Sequence, residues 1–272
     1  MGKSFIVILF ILSRSVAMYG QTLSGTVFEK NGETPIAFVN IGISGKNRGT
    51  VSDQNGRYTL HLSPEYQNDT IIFSCIGYHP FAVKVSELLS RNNGDVILEA
   101  RQYELSEVVV RPKKIRKKTL GITTRSRFVV ECFADSVKGS EAGTIMKNKN
   151  TVFVNAIDFN IANCSYDTVY FRMNIYRAKA NMQFENILNS PVYVSFSKEE
   201  AKKKITVDLR HLNLFITGDF LVTIETVKDL GPGKLCFYGC NFYKSYRRNA
   251  SQGVWGTIPT GLSISALVDI ER

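Results

Sequence analysis

Residues 49–62 read GTVSDQNGRYTLHL, and the parsing of this stretch decides the fold. Asp53-Gln-Asn55-Gly56 is a turn signal, because Asp and Asn side chains bond their own backbone and glycine takes positive φ without steric cost. Beyond it Tyr58, Leu60 and Leu62 alternate with Arg57, Thr59 and His61. That two-residue period is the mark of a strand with one buried face. The turn is expected to be a hairpin, with Tyr58 beginning the return strand. A calcium loop is the other chemistry that an Asp/Asn-rich turn can carry, but it needs further carboxylates that this one lacks.

Working outward, runs of similar character occupy 22–28, 36–43, 70–76, 81–85 and 96–99, separated by Lys30-Asn-Gly32, Ser44-Gly45, Ser63-Pro64 and Asn92-Asn-Gly94. Short strands at this spacing make a small β-sandwich. Leu23-Ser-Gly25-Thr-Val27, Pro35-Ile-Ala-Phe-Val-Asn-Ile41, the turn segment 49–58 and Ile72-Phe-Ser-Cys-Ile-Gly77-Tyr78 then carry a resemblance. Residues 21–110 resemble the carboxypeptidase-regulatory-like domain, a transthyretin-like or immunoglobulin-like sandwich. The resemblance implies two settings: beside metallocarboxypeptidase domains, or as the N-terminal extension of TonB-dependent outer-membrane receptors. In the latter a segment like Leu105-Ser-Glu-Val-Val-Val110 often follows. The residues that remain are too few for a receptor's plug and barrel. The three histidines, His61, His79 and His211, are scattered rather than clustered with glutamates as a zinc peptidase requires. What the resemblance implies is therefore a fold and an envelope location, not transport or hydrolysis.

Residues 1–20 read as a signal peptide: Lys3, the apolar run FIVILFIL from Phe5 to Leu12, and the small-x-small site Ser15-Val-Ala17. Export to the periplasm, the outer membrane or the cell surface is expected. The formal net charge is +10, and residues 111–127 (RPKKIRKKTLGITTRSR) hold eight basic and no acidic side chains. Nearly all the excess is thus in one short segment, expected to be a basic linker that can touch anionic lipid headgroups peripherally. The folded parts are close to neutral, which argues against a nucleic-acid partner.

Residues 128–272 are expected to form a second β-sandwich, jelly-roll-like or galactose-binding-like, of eight or nine strands. In 169–176 Val169, Phe171, Met173 and Ile175 share one face, and Tyr170, Arg172, Asn174 and Tyr176 the other. Gly139-Ser-Glu141-Ala-Gly143, Asp158-Phe-Asn-Ile161, Phe171-Arg-Met-Asn-Ile-Tyr176 and Asp219-Phe are similar to C-terminal regions of other regulatory-domain proteins. The fold class is accordingly all-β, two sandwiches joined by a linker.

No nucleophile elbow, phosphate loop, His-Glu-x-x-His or dinucleotide fingerprint occurs, so no catalytic residue, metal site or cofactor is assigned. Of five cysteines, Cys236 and Cys240 could close a small loop but read better as small apolar side chains on a strand and its turn. The candidate ligand-binding residues are Tyr243, Tyr246, Arg247 and Trp255, in a stretch (241–255) that could form a loop of aromatic platforms and polar hydrogen-bonders. The expectation is a non-catalytic envelope binding protein with a glycan or protein partner. Its alternatives are an assembly component acting by β-strand addition and a glycan hydrolase with two facing carboxylates.

Overall fold

The structure, a computed structural model, describes residues 20–30, 32–91, 93–101, 115–134 and 137–271. The signal-peptide reading of 1–20 and the segment around Leu105–Val110 lie outside the described residues, Gly20 excepted.

The first sandwich contains β1 (Gln21–Glu29), β2 (Asn40–Ile43), β3 (Gly49–Val51), β4 (Arg57–Leu62), β5 (Thr70–Ser74), β6 (Phe81–Lys84) and β7 (Val96–Leu98), with helix α1 (Val85–Leu89) after β6. One sheet has the order β4-β1-β7, the other β3-β2-β5-β6. Tyr58, Leu60 and Leu62 enter the core with Val27, Ile41, Phe73 and Leu98, as the alternation of β4 requires.

The Asp53 turn is not a hairpin. β3 pairs with β2 and β4 with β1, so the chain passes from one sheet to the other between them. Gly56 sits at φ +72, and Asp53 Oδ1 accepts from the amides of Asn55 (2.8 Å) and Arg57 (2.9 Å). This carboxylate oxygen is engaged by its own turn. The expected strand over 36–43 also shortens to β2, because Phe38 adopts a left-handed φ of 55° and breaks the run.

The second sandwich is larger than expected, with fifteen strands among the described residues. They are β8 (Ile115–Gly121), β9 (Val130–Ala134), β10 (Glu141–Met146), β11 (Thr151–Cys164), β12 (Thr168–Ala178), β13 (Phe184–Asn186), β14 (Val192–Ser197), β15 (Lys204–Asp208), β16 (Phe215–Thr217), β17 (Phe220–Glu225), β18 (Lys234–Cys240), β19 (Ser245–Arg248), β20 (Gly256–Ile258), β21 (Gly261–Leu262) and β22 (Ile264–Glu271). A seven-stranded sheet runs β13-β12-β17-β10-β19-β20, with β14 also on β12. An eight-stranded sheet runs β21-β18-β11-β22-β8, with β15 and β16 also on β11 and β9 on β18. Successive long strands β10, β11 and β12 alternate between sheets, the jelly-roll habit. Val169, Phe171, Met173 and Ile175 face the core as expected, and Phe159, Phe171, Phe196 and Phe237 fill it with edge-to-face contacts.

The basic segment is not a tether where it is described. β8 pairs antiparallel with β22 from Ile115↔Glu271 to Gly121↔Ser265. Leu120 and Ile122 are buried and anchor it, while Arg116, Lys117 and Lys118 stay in water along the open sheet edge. Lysine there guards an edge against pairing with another chain, so the charge run is compatible with a strand. Cys236 is not a free apolar residue either: it is disulfide-bonded to Cys132, its directly opposed partner on β9.

The two sandwiches are in intimate contact. A Cβ placed on Gly42 of β2 would lie 2.1 Å from the Ser251 carbonyl oxygen, in the segment between β19 and β20. Glycine inside a strand commonly marks such close backbone approach. Gly42→Val is expected to push that segment off the first sandwich. Limited proteolysis should then cut between the sandwiches in the variant and not in the wild type. Equal resistance would mean that the contact does not hold them together.

Candidate functional site

The face of β12 opposite its core side, with Tyr170, Arg172, Asn174 and Tyr176, is turned toward the first sandwich. Strand register aligns four charged residues in one line across the seven-stranded sheet: Arg172 on β12, Glu225 on β17, Glu141 on β10 and Arg248 on β19. The order is plus, minus, minus, plus. Arg172, Glu225 and Glu141 are at most 1% exposed. Buried charges persist only when paired and hydrogen-bonded, and these are.

Arg172 gives its Nε and Nη2 to Glu225 Oε2 at 3.0 and 2.8 Å. Glu141 accepts from Asn174 Nδ2 (2.8 Å), Tyr176 Oη (2.9 Å), Arg248 Nε (2.7 Å) and the Thr223 hydroxyl. Burial pushes the Glu141 carboxyl above its ordinary range, against the pull of Arg248. Burial acts the same way on Glu225, but the guanidinium groups of Arg172 and Arg248 outweigh it and hold that carboxyl down. Tyr176 is pushed well up, by burial first and by Glu141 second.

The first sandwich completes the network. Arg172 Nη1 donates to the Phe38 carbonyl oxygen at 2.7 Å, and Nη2 to Asn40 Oδ1 at 2.6 Å. The left-handed backbone at Phe38 accompanies this contact, and the Phe38 ring packs against Tyr170 and Tyr193 at 5.7 and 5.3 Å. Gln252 Nε2 donates to Ser74 Oγ at 2.7 Å across the same junction.

Beside this seam lies a cleft of about 240 Å³, with Asn40, Ser74 and Tyr78 on one side and Asn174, Tyr176, Phe184 and Asn186 on the other. Phe184 and Tyr176 belong to an aromatic cluster: Trp255 meets them edge-on at 5.0 and 5.8 Å, and Tyr246 meets Phe184 at 5.3 Å. The Arg248 guanidinium lies 5.1 Å from the Trp255 ring centre, a cation–π contact. Phe184, Tyr246 and Trp255 are only half-buried. Apolar ring surface beside amides and hydroxyls is the make-up of a site for a polar ligand with flat apolar patches.

The structure thus brings Tyr246 and Trp255 together and separates the other two candidates. Residues 241–255 are not one loop, because Ser245–Arg248 form β19. Alternation on that strand sends Arg247 to the face opposite Tyr246 and Arg248. Tyr243 stands apart beside Gly261 of β21. Sequence reasoning missed Phe184 and Glu225. The stretches 139–143 and 171–176, singled out in the sequence, do meet here through Glu141, Arg172, Asn174 and Tyr176.

Of the paired carboxylates that a hydrolase would need, Glu141 and Glu225 are directly opposed, yet each is buried and bound to an arginine. That arrangement ties the charge of both carboxylates to arginines, although both line a hollow of about 280 Å³. Among the described residues, no three His, Cys, Asp or Glu side chains are grouped to hold a metal ion.

Comparison with known proteins covers the first sandwich best. Residues 23–110 match the sequence model of the CarboxypepD_reg-like domain. The chain is 34% identical over 111 residues to TonB-dependent receptor P39 of Formosa agariphila, a match spanning 40% of this chain and 10% of the receptor. Among solved structures, similarity extends to the cysteine protease and lectin-like domains of Cwp84, a surface layer associated protein of Clostridium difficile. There the TM-score is 0.39 and the identity 11%, over 93% of this chain and 59% of that one. The Gx strain of infectious bursal disease virus gives a TM-score of 0.22 at 12% identity, with the same coverage. The first sandwich is a carboxypeptidase-regulatory-like domain, and a second sandwich outside that match is packed against it.

Proposed function

We propose that the protein is an exported, non-catalytic binding protein of the cell envelope, and that it takes a glycan in the cleft between its sandwiches. The observation that carries this reading is the half-buried set Phe184, Tyr246 and Trp255 beside the polar cleft. Sugar rings offer an apolar face to such aromatics and a rim of hydroxyls to half-buried polar side chains such as Ser74 and Asn186. The signal-like N-terminus and the region similar to a TonB-dependent receptor support the envelope setting. Among the described residues no helix is long and apolar enough to cross a membrane.

The test is a glycan array probed with the mature chain, its Trp255→Ala variant and its Phe184→Ala variant. Each substitution is expected to weaken a bound glycan at least about tenfold, the equivalent of about 1.4 kcal/mol, with the fold intact by circular dichroism. Silence of the wild type across a broad array would remove the glycan reading. A protein partner would then be sought by crosslinking in envelopes.

A further inference from the structure

The outer face of the eight-stranded sheet carries a second recess, remote in the strand order from the junction. Two adjoining hollows of about 440 and 370 Å³ lie over β15, β11, β22 and β8 and share Thr119 and Leu267. Register explains the trough. One row across the sheet is Thr206, Asp158, Ser265 and Gly121, and the next is Asp208, Ala156, Leu267 and Thr119. These rows are floored mostly by small side chains. Asp158 and Ser265 face outward yet are only 3% and 1% exposed, so the surface is concave there.

Longer side chains stand at the margins. Arg125 and Lys204 rise at one side, and Lys117, Asp269, Phe153 and Phe215 at the other. The two phenylalanine rings are 5.0 Å apart, and Phe215 is 46% exposed.

The charges are unevenly settled. Asp158 is bound by Lys204 Nζ at 2.7 Å, and Asp208 by Arg210. Lys117 makes no ion pair among the described residues, although Asp269 stands directly opposite it and keeps Oδ1 enclosed without a hydrogen-bond partner. The trough therefore offers a spare cation, Lys117, for an acid and the half-exposed Asp208 carboxylate for hydroxyl donors. A flat membrane could not follow the concave floor, whereas a single chain can lie along it. A chain that carries both acid groups and hydroxyls satisfies both sets.

We infer that this trough is a second binding site, for an acidic glycan of the uronate type. It is independent of the cleft: its residues belong to the other sheet, and the aromatic cluster takes no part.

The experiment is calorimetric titration of the mature chain with an oligogalacturonate, its carboxyl-reduced counterpart and phosphatidylglycerol vesicles. Variants are Lys117→Gln, exposed and not part of the core, and Trp255→Ala. The expected result is binding of the acidic oligomer alone, weakened by salt, reduced at least about tenfold in Lys117→Gln and unchanged in Trp255→Ala. Equal binding of the reduced oligomer would overturn the inference, as would no binding at all. Loss in Trp255→Ala would move the ligand to the cleft, and vesicle binding lost in Lys117→Gln would replace the glycan by a membrane.

Discussion

Replacing Glu225 with alanine is expected to cost about 3–5 kcal/mol of stability, because it strands a buried charge. Glu225 Oε2 takes two bonds from Arg172 and one from Asn174, and Arg172 in turn holds the backbone of the first sandwich. Without the carboxylate, the Arg172 guanidinium stays 2% exposed with no counter-charge. The loss falls on the junction as well as on the second sandwich. A double variant, Glu225→Leu with Arg172→Met, is expected to recover much of the stability, since well-packed apolar side chains often replace a buried ion pair at little cost. Urea denaturation at neutral pH gives both values. A single-variant loss under about 1 kcal/mol would show that the charges are not desolvated as the geometry requires. The acid response has a definite sign. The Glu225 carboxyl is held below its unfolded value, so its contribution is complete above that value and is lost as pH falls through the folded one. Comparing wild type with Glu225→Ala across that window reports the pair together, since the Glu225 charge also helps to raise the Glu141 carboxyl.

Breaking the Cys132–Cys236 bridge is expected to be comparably severe. The two cysteines are 104 residues apart in sequence, and the closed loop contains most strands of the second sandwich, β10 to β17 among them. The chain-entropy relation assigns about 4–5 kcal/mol to a loop of that length. For a chain of this size that corresponds to a fall in Tm of roughly 10–15 °C. Cys132→Ser with Cys236→Ala, or reduction of the wild type, should both show it in calorimetry. Cys75, Cys164 and Cys240 are unpaired, so a Cys240→Ser control should leave Tm unmoved. A wild type whose Tm ignores reductant would mean that the bond does not stabilise the fold. Such a bridge fits an oxidising compartment, in keeping with the proposed export.

Much of the fold was legible because one-sided strands announce themselves. The β4 run alternates buried and exposed without a fault, whereas β12 alternates only in residue type and is buried on both faces. The character of the second β12 face was harder to see. Tyr170, Arg172, Asn174 and Tyr176 look like a wetted surface by residue type, and only the first sandwich makes Arg172 an interior residue. Nothing local announces that Glu141 will meet Glu225 or Arg248, since register between distant strands is set by the whole sheet. β8 was hidden for a different reason: its charges suggested repulsion and extension, while the two residues that seat it, Leu120 and Ile122, are a small apolar signal in a basic run. Phe38 gave no warning, because a left-handed conformation at phenylalanine is dictated by its neighbours rather than by its own preference.

The grip of Arg172 on the Phe38 carbonyl and the Asn40 amide also bears on how such chains are assembled over evolutionary time. Regulatory-like sandwiches recur in proteins of very different size, which suggests interchangeable beads on a string. Here the bead is keyed. A homologous sandwich spliced in without a left-handed residue at position 38, an oxygen acceptor at 40 and a bare α-carbon at 42 would leave a guanidinium with donors unfilled and a loop with nowhere to rest. Recombination at this boundary is therefore constrained to donors that carry the key, and the two halves of the chain are expected to be inherited as a pair.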